Sequence, residues 1–169
     1  MDPKPRTRRH TRPPGDAYED AIRFLGARAR SVAEIRRQLR GKQHDEPAID
    51  GAIERLRANG YVDDLAFARY WLEQRERFRP KGDRALVSEL LQKGIAREAI
   101  DTVLGERPPD AQLAQARAAI RKPLARWSGM DDADRKRRVQ AYLVQRGFDY
   151  GTIEEVLEHP VAEDDEAEP

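Results

Sequence analysis

The chain has 169 residues, no cysteine, 38% hydrophobic and 37% charged side chains, and a net charge of +1. That composition excludes disulfides and thiolate metal sites, suits a reducing, cytoplasmic setting, and leaves too little apolar material for one large core. No apolar run approaches the roughly 20 residues of a membrane helix, and no β-branched run alternates with polar residues, so an all-α protein with several small cores is expected.

In chain order, residues 1–16 come first, with Lys4, Arg6, Arg8, Arg9 and Arg12 against Asp2 in the first fourteen. Proline and like charge with almost no apolar surface predict a disordered basic tail, and the segment lacks the apolar core of a secretory signal. A first three-helix unit is expected over 17–59. It opens with AYEDAIRFLGARA (Ala17–Ala29), continues with a helix behind a Ser31/Glu34 capping box, and closes with one that has Pro47 in its first turn. The second unit, 60–107, begins GYVDDLAFARYW. There Gly60 ends the preceding helix, Asp63 or Asp64 caps DLAFARYWLEQRERF, and Asp83 is the expected cap of the next helix. The third, 108–158, opens with DAQLAQARAAIRKPLARW, which Pro123 is expected to interrupt, and has Asp149 capping its last helix. Residues 159–169 are acidic without Lys or Arg, and a second disordered tail is expected there.

The three units are copies. ELLQKGIAREAIDTVL (Glu89–Leu104) aligns without a gap on the segment ending GTIEEVL when Leu90 is set on Leu143, an offset of 53 that also pairs Gly94 with Gly147, Ile95 with Phe148 and Ile100 with Ile153. At an offset of 51 a fainter copy sets Ile35 on Leu86, Leu39 on Leu90 and Ile49 on Ile100. Gln43 stands where the others have glycine, and Gly41 is the nearby residue expected to serve a displaced helix end. Apolar residues four apart, as in Leu86 and Leu90, mark one buried helical face per copy, and Gly94 and Gly147 suit the left-handed turn between helices. The expected architecture is an elongated tandem array of three three-helix repeats.

Little in the chain promises chemistry. His10, His44 and His159 lack a second ligand at helical spacing, and there is neither a phosphate-binding glycine loop nor a nucleophile elbow, so no metal, cofactor or catalytic residue is expected. Asp131, Asp132 and Asp134 precede a helix and read as caps and dipole partners rather than nuclease carboxylates. Basic residues do cluster: Arg69, Arg75, Arg77, Arg79, Lys81 and Arg84 in one stretch, and eight against three acids from Arg117 to Arg138. Such clusters either engage phosphates or carboxylates of a partner or form solvated helix faces. Phe67, Ala68, Trp71 and Leu72 share a helical face and read as core, whereas Tyr70 turns away and is freer to meet a partner.

GYVDDLAFARYWLEQR, PKGDRALVSELLQKGI and VQAYLVQRGFDYGTIEEVL together resemble the RecX family, bacterial regulators of the RecA recombinase. The likeness runs from about Ala17 to Leu157 and is strongest over Gly60 to Leu104. It implies a non-enzymatic, monomeric protein without cofactors that binds the RecA filament on single-stranded DNA. Such a protein would limit ATP hydrolysis, strand exchange and co-protease activity, and so modulate DNA repair and the SOS response. Candidate contacts are Arg69, Tyr70, Arg75, Arg77, Arg79, Lys81, Arg84, Arg135, Lys136, Arg137 and Arg138. The alternative is a helix-turn-helix regulator binding duplex DNA, against which AREAIDTVL and YGTIEEVLE are neutral to acidic where a recognition helix needs base-reading side chains. A scaffold for some other protein is a third reading.

Overall fold

A computed structural model describes residues 15–159, so the predicted charged tails fall almost wholly outside the described residues. Among these residues there are nine helices and no strand: α1 (Ala17–Leu25), α2 (Val32–Gly41), α3 (Glu46–Ala58), α4 (Asp64–Phe78), α5 (Asp83–Gln92), α6 (Arg97–Gly105), α7 (Ala111–Arg126), α8 (Asp132–Gln145) and α9 (Tyr150–Glu158). They form three triads, in each of which the first helix packs against the third. The chain divides into two compact units, one ending at Val62 and one beginning at Asp63.

The local signals explain most helix ends. The Ser31/Glu34 capping box forms in both directions, and Asp45, Asp131 and Asp149 each accept a backbone N–H at the third helical position. Asp63 is the cap of α4, accepting from the N–H groups of Leu65 and Ala66. Asp63→Ala is therefore expected to lower stability by about 1 kcal/mol, while Asp63→Asn keeps most of it. Urea unfolding of both variants checks the order.

Four expectations need correction. α1 stops at Leu25 rather than Ala29, because the chain must be extended at Ser31 to form the next cap. Asp83 is not a cap: Gly82 holds that position with no side-chain bond, and the Asp83 carboxylate turns to Arg107. Pro123 lies inside α7 without ending it, since the helix runs one more turn and needs only the single missing N–H to be tolerated. The first repeat has no displaced turn. Gln43 itself takes φ +67°, beside +77° at Gly94 and +84° at Gly147, so the register is kept by a non-glycine residue in a conformation that glycine adopts more cheaply.

Within residues 15–62, the core is built from Ala21, Ile35, Leu39, Ile49, Ile53 and Leu56. His44 occupies the position of Ile95 and Phe148 and is buried as they are. Its Nε2 lies 2.9 Å from Asp20 Oδ2, and Lys42 Nζ donates to Asp20 Oδ1 at 2.8 Å. A polar plug thus replaces the apolar one of the other copies, and its groups satisfy one another.

Within residues 63–159, α4–α6 and α7–α9 have separate cores, around Leu86, Leu90 and Ile100 and around Ile120, Leu143 and Phe148. The two triads meet through backbone. The N–H of Gly82, at the start of α5, donates to the carbonyl of Arg146, at the end of α8, at 3.0 Å. Arg146 Nη1 also donates to the Pro80 carbonyl at 3.4 Å, and the Asp83 N–H to Gln112 Oε1 at 3.3 Å. The positive end of one helix dipole abuts the negative end of another. Gly82 is buried, and a Cβ there would fall far inside contact distance of the Gly147 backbone; one on Gly147 would lie 2.6 Å from Ala85 Cβ.

Candidate functional site

The predicted contact residues divide by what the fold gives them as partners. Arg69 is held by Glu106 through a two-pronged pair, Nε and Nη2 each donating at 2.7 Å, and this bond keeps the Glu106 carboxyl below the usual glutamate range. Arg75 Nε donates to Glu89 Oε2 at 2.7 Å, Trp71 Nε1 donates to the same oxygen at 2.8 Å, and Lys81 donates to Oε1. The Arg75 guanidinium and the Lys93 ammonium lie 4.6 and 4.8 Å from the Trp71 ring centroid. Burial pushes the Glu89 carboxyl up, but the bonds from Lys81, Arg75 and Trp71 outweigh it and hold it below its ordinary value. Trp71 is part of the second core, stacked on Phe67 at 6.0 Å, as the helical face predicts.

On α8 the pattern repeats with closer partners. Asp132 takes Arg135 and Lys136, Asp134 takes Arg137, and each lies within the first turn and a half of the helix. Asp131 caps α8, as its place in the sequence suggests, whereas Asp132 and Asp134 lie inside the first turn of the helix rather than before it and also form ion pairs.

Arg77, Arg79, Arg84 and Arg138 are exposed and have no carboxylate partner among the described residues. Arg77 stands over the exposed Phe78 ring at 5.2 Å, and Tyr70 is also exposed, on the outer face of α4. Sequence reading missed the division itself. The charges were visible along the chain, but Arg69 and Glu106 are 37 residues apart, and only the packing of α4 on α6 brings them together. Among the described residues no group of three or more His, Asp or Glu is placed to hold a metal, and no helix is long and apolar enough to cross a membrane.

Comparison with known proteins gives one consistent result. Models described as the first, second and third three-helix domains of RecX match residues 17–56, 63–104 and 110–157. The chain is 37% identical over 143 residues to "Regulatory protein RecX" of Chlorobium phaeobacteroides, covering 84% of this chain and 91% of that one. It is 37% identical over 131 residues to the protein of that name from Mycobacterium tuberculosis, covering 75% of each. A crystal structure of RecX from Lactobacillus salivarius superposes with TM-score 0.75 at 20% identity over 84% of this chain and 92% of that one. A second structure, titled regulatory protein RecX, gives 0.74 at 25% over 84% and 71%.

Proposed function

Because the chain belongs to the RecX family, a family of regulatory proteins, we propose that it binds the RecA filament on single-stranded DNA and restrains filament growth, ATP hydrolysis, strand exchange and co-protease activity. It acts on filament and strand together, as a monomer and without a cofactor. The observation that carries the reading to the residue level is the set Arg77, Arg79 and Arg84 around the α4–α5 turn. These cations have no carboxylate partner among the described residues, Arg77 stands over the exposed Phe78 ring, and Tyr70 on α4 is exposed as well. Arginines left unneutralised by the fold are available to phosphates or to acidic side chains of a partner. Arg69, Arg75, Lys81, Arg135, Lys136 and Arg137 contribute only as far as a partner can compete with the acids already holding them, which ranks them behind Arg77, Arg79, Arg84 and Arg138.

The test is RecA with single-stranded DNA and ATP, to which this protein is added below stoichiometry. ATP hydrolysis and filament length are expected to fall; if both stay unchanged, the reading is lost. Arg79→Glu is the informative charge reversal, because the exposed Arg79 side chain has no partner among the described residues. It is expected to weaken binding and to lower the salt slope by about one unit where it meets a phosphate. Arg75→Glu is a poor probe by comparison, since it places a second carboxylate against Glu89. A helix-turn-helix reading of duplex DNA gains no support, as α9 carries no basic residue and the Arg97 of α6 is paired with Asp101.

A further inference from the structure

α7 differs from its neighbours in having no acidic residue at all: AQLAQARAAIRKPLAR carries Arg117, Arg121, Lys122 and Arg126, and none of the four has a carboxylate partner among the described residues. In α8, by contrast, three of the four cations are matched by acids one turn away. Their arrangement is specific. At 3.6 residues per turn Arg117 and Arg121 form one row along the helix and Lys122 and Arg126 another, the rows about 140° apart around the axis. Between them the outward positions are Ala114, Ala118 and Ala125, all of them exposed. Two rails of cations therefore flank a low alanine floor that runs about 14 Å along the helix. Arg117 is the half-buried member of the set, and Arg121, Lys122 and Arg126 are exposed.

We infer that this face of α7 is a binding site for the phosphodiester backbone of single-stranded nucleic acid, the strand lying along the helix with its phosphates between the two rails. A flexible strand suits a convex helix with so low a floor. Backbone contacts of this kind carry no sequence preference. The inference deepens the function proposed above by assigning the contact with the strand to the third triad, and it rests on that reading for the setting in which the strand is met.

The full chain alone is titrated with a fluorescent oligo-dT across a range of salt. Single strands give a slope of about −0.7 per phosphate neutralised, so Arg121→Ala combined with Lys122→Ala is expected to reduce the slope by about 1.4. Arg97→Ala, which removes a cation already paired with Asp101, leaves the slope unchanged. Both α7 side chains are exposed, and an unaltered thermal melt of the double variant verifies that the fold is intact. Absence of oligonucleotide binding by the wild type, or an unchanged slope in the double variant, overturns the inference. If the double variant binds oligo-dT normally but no longer affects RecA, α7 is a protein contact. The inference then fails while the proposed function stands. If the wild type has no effect on RecA and the double variant loses its slope, the α7 site stands and the RecA reading fails.

Discussion

Gly82→Ala is expected to destabilise the unit spanning residues 63–159 by about 3 kcal/mol, the upper part of the range for an overpacked site. The backbone itself permits the change, since Gly82 has φ −74° and ψ 162°, which any residue adopts. Considered through the unfolded chain alone, alanine would stabilise by about 0.4–1 kcal/mol. Space reverses the sign. The new methyl points at the Gly147 carbonyl, so no side chain can rotate to relieve the clash, and the second and third triads must separate. Their cores are independent, so separation leaves each folded but unlatched. The expected signature is early exchange of the amide at position 82, now without the Arg146 carbonyl, together with a lower and broader melt. Gly105→Ala is the control, because nothing lies within 4 Å of the added methyl. A Gly82→Ala protein that melts with the wild type would show that the triads are not held by this contact.

Glu89→Leu is expected to cost about 2 kcal/mol, or roughly 10 °C in melting temperature for a unit of this size. Glu89 is the acceptor for Trp71, Arg75 and Lys81 at once, and its side chain is 17% exposed. Leucine leaves three donors facing an apolar group. Arg75 and Lys81 are 25% and 29% exposed and recover part of their hydration, which keeps the loss below that of a fully buried pair. Glu89→Gln retains an acceptor and is expected to lose less. The wild-type interaction also has a pH signature. The folded carboxyl titrates lower than the unfolded one, so its contribution is complete above the ordinary glutamate value of about 4.3 and disappears as pH falls through the lowered one. Melts between pH 7 and 3 should converge for wild type and Glu89→Leu at the acid end. Curves that remain parallel would remove the charge from the account.

The repeat was legible because apolar periodicity is a local property: Leu39, Leu90 and Leu143 lie at one register and all are fully buried. Caps were legible for the same reason, as Ser31 and Glu34 are three residues apart. The first-repeat turn was harder to read, because Gln43 does by force of context what glycine does by propensity. Site residues were legible only as sign and density of charge. Whether an arginine is free depends on which acid the packing delivers, and that information is spread over intervals such as the 14 residues from Arg75 to Glu89. The acid-free stretch of α7 is the exception, since its composition is readable directly, and the contrast with α8, where three of four cations are paired, comes from the structure.

The abutment of Gly82 on Gly147 also limits how such a chain can grow. Under the offset of 53, Gly82 falls on Arg135, a residue with a large side chain within the first turns of α8. Duplication of the last fifty residues would supply a new turn glycine, yet that glycine would be offered an arginine instead of a bare backbone. The latch can close between the second and third copies and cannot be reused beyond the third. Stacking of a further copy by this same contact is therefore blocked by the identity of one residue, Arg135.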